Sequence, residues 1–391
     1  MKKIFGIILA ICCLGSAFAG NPTENYSIAE FSGEAGVKYV QNLDYKADTN
    51  KFGFENWANA NLKINLLNGD NATTKGKGIW GEIKVKIDTP DALPNPGQLN
   101  IDKTAAVDTA KIHFVDGDFA VALNILAPSL ELGNASIAAA TGTTESTTKN
   151  KVADYNTGFA VEITTPVADV NVKVADNGVA AEKKFGFAAD AKLKAVENLD
   201  VNGAFAYADE TTAFRAGANY KLAINDKLYV KPAVDYTQKG EAKDLAAGIL
   251  FGWGADEQEP GLDYIADKCA DGVSVVFGTD LTEKAGNVVV GFYDSTLVAG
   301  LKVGAQFGTT LANFGRGKLA VAAKYGTDID IITVSLHGGV ELTLADETTT
   351  NFKYGIKLNT DDVIDNTDLY VSYEGEKDKK GKIVAGAKIS L

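Results

Sequence analysis

Histidine is nearly missing from this chain of 391 residues, which holds two, His113 and His337. They lie far apart, each inside a strand-like run, and are read as residues of a strand face rather than ligands. Histidine-based metal sites and Ser-His-Asp catalysis therefore have almost no material. Cysteine is as scarce, with three residues. Two of them, Cys12 and Cys13, fall in an N-terminal apolar segment, which leaves Cys269, so no intramolecular disulfide is expected and Cys269 is read as an idle loop residue. There is no excess of positive charge: 38 Lys and Arg stand against 51 Asp and Glu. That balance argues against nucleic-acid binding, which needs a basic footprint. No Walker loop, HExxH or GxSxG occurs, and Gly315-Arg316-Gly317 reads as a turn. The chain is not read as an enzyme, and no catalytic residue, metal site or cofactor is expected. Long apolar runs are missing too. After the first twenty residues the longest clean stretch, Leu245 to Ala255, is interrupted by Gly248, Gly252 and Gly254, far short of what a membrane helix needs. If the chain spans a membrane, it does so with strands.

What is present begins with an export signal. Lys2 and Lys3 precede the short apolar run Ile4 to Leu14, and Ala17-Phe18-Ala19 supplies a small-x-small cleavage pattern. Residues 1–19 are read as a signal peptide cut before Gly20. Ile11 is a poor residue to precede a lipidated cysteine, so Cys12 is not read as a lipid anchor. Removing Lys2 and Lys3 takes the net charge from −13 to −15.

The dominant signal downstream is period-two alternation, which sends successive side chains of a strand to opposite faces. Ala58, Ala60, Leu62, Ile64 and Leu66 alternate with Asn59, Asn61, Lys63 and Asn65. Ile79, Gly81, Ile83, Val85 and Ile87 alternate with Trp80, Glu82, Lys84 and Lys86. Phe185 to Lys194, Phe214 to Leu222, Leu228 to Tyr236, Leu301 to Phe307, Leu319 to Tyr325, Phe352 to Leu358 and Ile383 to Leu391 repeat the pattern. Asp116-Gly117 reads as a hairpin turn and Lys239-Gly240 as the end of a strand. Thr141 to Lys151 is a Thr/Ser-rich loop, and Asp361, Asp362, Asp365 and Asp368 mark an acidic one. Gly254 to Gly272 is long, acidic and without alternation, and is expected to be surface-exposed or pore-constricting. Counting the runs gives about the number of strands that the chain length allows. Alanines and glycines on the apolar faces suit lipid better than a tight core. Aromatics near segment ends (Phe52, Phe54, Trp57, Phe205, Tyr207, Trp253, Tyr325 and Tyr373) are placed in interfacial girdles. The fold class is therefore all-β, a transmembrane antiparallel β-barrel of roughly 16–20 strands.

Charge is unevenly distributed. The polar strand faces are rich in cations, and the candidate pore-lining residues are Lys63, Lys84, Lys86, Lys192, Lys194, Arg215, Lys221, Lys231, Lys302, Lys324, Lys353 and Lys357. Acids on those faces are fewer, among them Glu82, Glu162, Asp190 and Asp235, and most carboxylates fall in turns and loops. The expectation is a basic lumen under acidic loops, with mild anion preference, because charges close to the ion path and inside a low-dielectric wall act most strongly on it.

Phe54-Glu55-Asn56 through Leu66, followed by Lys77-Gly78-Ile79-Trp80-Gly81-Glu82-Ile83-Lys84-Val85-Lys86, resembles the N-terminal region of the treponemal major outer sheath and Tpr-like outer-membrane proteins. Lys75-Gly76-Lys77-Gly78 matches the turn that precedes that strand in the family, and Ala110-Lys111-Ile112 continues in the same manner. The likeness covers about residues 28 to 140. It implies that residues 20–391 form an outer-membrane β-barrel, with about 28–180 similar to the family's N-terminal region and about 181–391 to its C-terminal region. It also implies porin activity and, in some members, adhesion to host matrix proteins. The implied partners are outer-membrane lipid, small hydrophilic solutes, host extracellular-matrix proteins and further copies of the chain. The first reading is an outer-membrane porin for passive diffusion of small hydrophilic solutes. A surface adhesin with the barrel as anchor only and a soluble secreted β protein are the alternatives.

Overall fold

A computed structural model describes residues 29–43, 52–67, 77–88, 104–126, 128–132, 151–155, 157–179, 182–255, 259, 261–265, 269–364 and 366–390. The expected signal peptide, residues 1–19, and nearly all of the Thr141 to Lys151 loop lie outside these.

Every described element is a strand or a turn. The first part of the chain supplies β1 (Ala29–Asn42), β2 (Phe52–Leu67), β3 (Lys77–Asp88), β4 (Thr104–Asp116) and β5 (Phe119–Asn124). Two short strands, β6 (Ser129–Glu131) and β7 (Lys151–Asp154), pair only with each other. The wall resumes with β8 (Thr157–Thr164), β9 (Ala168–Asp176), β10 (Phe185–Leu193), β11 (Leu199–Ala208), β12 (Thr211–Tyr220) and its short continuation β13 (Leu222–Ala223). It goes on through β14 (Tyr229–Lys239), β15 (Ala242–Gly252), β16 (Gly272–Asp280), β17 (Ala285–Asp294) and β18 (Leu301–Thr310). β19 (Asn313–Ile329), β20 (Ile332–Leu344), β21 (Thr349–Ile364), β22 (Thr367–Glu376) and β23 (Lys379–Ser390) complete it.

Each wall strand pairs antiparallel with the next, and β23 pairs back onto β1 from Glu34↔Ser390 to Asn42↔Lys382. With β12 and β13 taken as one staff, this is a closed antiparallel barrel of 20 strands. Closure leaves no unpaired sheet edge, which is what lets strands cross hydrocarbon. The first strands belong to the same sheet as the last, so the N-terminal third of the chain is part of the wall. At a strand spacing of about 4.8 Å and a tilt near 40°, twenty strands enclose a ring roughly 40 Å across. Side chains from opposite walls cannot meet over that span, so anything that fills the interior must come from the connections.

The alternation anticipated from the sequence holds from strand to strand, because antiparallel partners share a face. Exposed Phe, Leu, Ile and Val side chains such as Phe54, Ile83, Phe187, Phe277, Val321, Leu336 and Val371 all fall on one face. Arg215, Asn219, Asp235, Thr237 and Asp244 are buried on the other. The acidic loop expected around Asp361 to Asp368 is not a loop. β21 extends to Ile364, β22 begins at Thr367, and Asp368 pairs with Lys388 inside the sheet. The Asp116-Gly117 and Lys239-Gly240 turns are present, each with its glycine at positive φ.

Candidate functional site

Two connections fold back onto the polar face, and they identify it as the interior. The first is the β6–β7 hairpin, between β5 and β8. Leu130, fully buried, packs with Leu132 and Tyr155 against Ala175, Ala188, Ala206, Ala208 and Ala213 of β9 to β12. Gly186 leaves room that a Cβ would take from Leu130. Tyr155 donates a hydrogen bond to Asp209 at 3.1 Å, and Lys239 Nζ donates to the Lys151 carbonyl at 2.5 Å.

The second is the long connection between β15 and β16, which enters from the opposite rim. Its roots are clamped by two buried carboxylates. Asp271 accepts from the Ser295 amide at 2.6 Å, the Ser295 hydroxyl at 3.1 Å and the Ala255 amide at 3.2 Å. Asp294 accepts from Trp253 Nε1 at 2.5 Å and from the amides of Thr296 and Leu297, both at 2.7 Å. Further along, Leu262 and Ile265 sit above Gly304 of β18, while Asp263 sits above Gly339 of β20, both places where a Cβ would crowd the loop. Asp263 lies 2.7 Å from His337 Nδ1. Lys353 of β21 stands 5.2 Å from the centre of the Tyr264 ring, and Lys302 donates to the Glu259 carbonyl at 3.3 Å. A buried apolar cluster unites Leu262, Ile265, Cys269 and Ala270 of the loop with Tyr229, Leu250, Tyr293, Ala320 and Ala322 of the wall. One short segment reaches residues from β14 to β21 because it lies across the concave side of the sheet.

Of the two roles expected for Gly254 to Gly272, the inward one is therefore what the structure has. Cys269, read as an idle loop residue, does lie in this loop, but it is buried there. It is 3 % exposed, and burial pushes its thiol up to about 12. Two of the expected girdle aromatics are also elsewhere: Trp57 shares the interior face with Glu55, and Trp253 is tied to the loop root.

All twelve sequence-selected cations fall on the interior parity of their strands or just beyond their ends, but the structure does not treat them alike. Lys63 stands opposite Glu82, Lys84 opposite Asn61 and Lys86 opposite Asn59 in the β2–β3 register; the side chains of Lys63 and Lys86 lie outside the described residues. Lys192 pairs with Asp200 at 3.0 Å and Lys194 with Asp169. Arg215 is buried, with Nε 3.2 Å from Asp235 and 3.1 Å from Thr237 Oγ1. Lys221 lies 4.3 Å over the Tyr229 ring, and Lys231 is opposite Leu250. Lys302, Lys324, Lys353 and Lys357 are brought together beside the long inward loop. Lys302↔Lys324↔His337 is one continuous row across β18 to β20, and Lys353 and Lys357 flank its next position, Gly355, on β21.

The acids were underweighted in the sequence. Besides the pairs above, Lys38–Glu55, Lys318–Glu341, Lys382–Glu374 and Lys388–Asp368 join cations to carboxylates on neighbouring strands, and Lys111–Glu162 does so across the intervening β5. Much of the interior is thus charge-balanced; along the basic row next to the long inward loop, cations outnumber the carboxylates placed there, Asp263 beside His337 and Glu376 opposite Lys353. The signal for the covered sector was in the sequence: the polar face of β10 to β12 turns to alanine at Ala188, Ala206 and Ala213, where a second layer needs space. Among the described residues no group of three or more His, Cys, Asp or Glu could hold a metal ion.

No family model matches the chain. It is 39% identical over 122 residues to the major surface protein MspTL of Treponema lecithinolyticum, a stretch that takes in 29% of this chain and 20% of that protein. It is 37% identical over 131 residues to the major outer membrane protein MspA of Treponema maltophilum, covering 30% of this chain and 22% of that one. The match thus spans about a fifth of the length of either relative. Among solved structures it is similar to Pseudomonas aeruginosa OccK5 (OpdH), with a TM-score of 0.46 and 9% identity over 93% of this chain and 98% of that one. A second is Acinetobacter baumannii OccAB1, at a TM-score of 0.44 and 9% identity over 94% and 98%. The chain is partially homologous to treponemal major surface and outer-membrane proteins, and its described strands close into a 20-stranded antiparallel β-barrel.

Proposed function

We propose that this barrel is a diffusion channel for small hydrophilic solutes, with mild anion preference. The observation that carries the reading is the division of faces: a closed barrel whose apolar side chains point outward and whose charged and amide side chains point in. A wall of this kind stabilises a water-filled path through hydrocarbon, and the strand number leaves space for one. The inward hairpin and the inward loop each cover a sector of wall, β9 to β12 and β14 to β21, so the free cross-section is much less than an empty ring of this size. That favours passage of small solutes over folded proteins.

The anion preference rests on Lys302, Lys324, Lys353 and Lys357, with Lys84, Lys221 and Lys231 contributing from the same face. Paired charges such as Arg215–Asp235 cancel at a distance, whereas a row of like charges projects a field into the path. The test is single-channel recording from the purified, heat-modifiable protein in planar bilayers. Discrete conductance steps with an anion-signed reversal potential under a KCl gradient are expected. A folded, inserted protein that passes no current would refute the channel.

A further inference from the structure

Four neighbouring strands at the seam where the barrel closes carry a repeated pattern on their interior face. On β22, Asp368 and Tyr370 stand opposite Lys388 and Gly386 of β23. On β2, Glu55 and Trp57 stand opposite Lys38 and Gly36 of β1. Across the seam Gly386 faces Lys38, and Lys388 faces Gly36. These positions are related by a local two-fold axis through the Val37↔Ala387 pair. Acid-x-aromatic and Gly-x-Lys on one side meet Gly-x-Lys and acid-x-aromatic on the other.

The side chains keep that symmetry. The Trp57 indole lies across Gly36 and the Tyr370 phenol across Gly386, so close that a Cβ on either glycine would collide with the ring. Lys38 Nζ is 2.7 Å from Glu55, and Lys388 Nζ is 2.8 Å from Asp368, with Glu34 at 4.0 Å. Lys357 Nζ stands 5.3 Å from the centre of the Tyr370 ring. Trp57, Tyr370 and both lysines are half-buried, and the two inward segments pack on other sectors of the wall.

A ring that covers a glycine is by itself a strand-packing device, and Tyr354 does the same over Gly375 on the outer face. The seam differs in what surrounds its rings. It has two of them on the solute side, lying over Gly36 and Gly386, which are diagonal neighbours across the β1–β23 pair and about 7–8 Å apart, and each ring is bordered by a lysine–carboxylate pair. Each pair sets a cationic donor beside an anionic acceptor, which suits hydroxyls, since these donate and accept at once. The charges of the two pairs cancel, so a free ion gains little there. The aromatic faces suit the C–H face of a sugar ring, which is apolar while its rim is polar.

We propose that this seam is a binding subsite for a neutral saccharide, with one hexose stacked on Trp57 and its neighbour on Tyr370. The proposal rests on the channel reading for access, and its test has two arms for that reason. Current through the full-length protein in planar bilayers is titrated with maltose and with cellobiose, and the same sugars are titrated calorimetrically into the detergent-solubilised barrel. Saturable block and saturable heat are expected for at least one sugar. Trp57→Ala and Tyr370→Ala should each raise half-saturation roughly tenfold. The Lys38→Gln, Lys388→Gln double variant leaves both rings in place and should lose affinity several-fold; it carries the test if the alanine variants fail to assemble. Saturable heat from a protein that passes no current would support the sugar site and remove the channel. Normal conductance with neither response to either sugar overturns the site. So does wild-type affinity in an assembled variant lacking both rings, or in the lysine double variant.

Discussion

Asp263, near the middle of the long inward loop, lies 2.7 Å from Nδ1 of His337 on β20. The loop roots are held separately by Asp271 and Asp294, so this contact fixes the middle of the segment against the wall. Gly339, two residues beyond His337, lets the Asp263 backbone come close. His337→Ala should therefore loosen the loop without unfolding the barrel. The expected result is a larger and noisier single-channel conductance at unchanged heat-modifiable mobility. Unaltered conductance would mean that the loop stays in place without this contact or does not bound the path.

Cys269 gives a second view of the same segment. Its thiol is buried and pushed up to about 12 from an ordinary 9.0, which lowers the reactive thiolate about a thousandfold at neutral pH. Native protein at pH 7.5 should resist maleimide labelling, and His337→Ala should label faster. Rapid labelling of the wild type would place the segment at the surface after all.

The two faces make a parity prediction. Leu62 and Ile83 are partners on the outer face, while Asn61 and Lys84 are partners on the inner one. Arginine at Leu62 or Ile83 should cost roughly 2–4 kcal/mol at mid-membrane depth, and arginine at Asn61 or Lys84 far less. Urea unfolding of the reconstituted barrels measures this. Equal losses at both parities would overturn the assignment of faces.

Arg215 and Asp235 are each 2% exposed at the side chain. Asp235→Ala leaves a buried guanidinium without its carboxylate and should cost on the order of 3–5 kcal/mol. Arg215→Met together with Asp235→Leu removes both charges and should be much milder. A single variant no worse than the double would show that water reaches Arg215.

Selectivity separates the lysines. Lys302→Glu, Lys324→Glu and Lys353→Glu together should carry the reversal potential toward cations. Lys192→Glu with Lys194→Glu should move it less, because those lysines are already paired with Asp200 and Asp169. A larger shift from the second pair would relocate the solute path to the β10 sector.

The sequence by itself determined the wall. A period of two reads directly as two faces, since each strand residue must point to one side or the other, and Leu62, Ile83 and Phe187 had no alternative to the outer one. It also determined two of the turns, because Gly117 and Gly240 occupy a backbone conformation that few other residues accept, whereas Gly315-Arg316-Gly317, read as a turn, lies inside β19. Tertiary structure decided what lies inside. Whether the stretch after Gly252 leaves the barrel or enters it depends on whether distant wall positions, Gly304, His337 and Gly339, leave a hollow and a partner for it. Pairing of lysines was hidden for the same reason. Lys192 meets Asp200 and Lys38 meets Glu55 across strands, through a register that hydrogen bonding sets and that no local pattern records. Trp57 shows both limits at once: its shared parity with Asn59 and Asn61 marks the polar face, yet its aromatic ring was assigned to a girdle, and the glycine it covers, Gly36, is brought beside it only by the β1–β2 register.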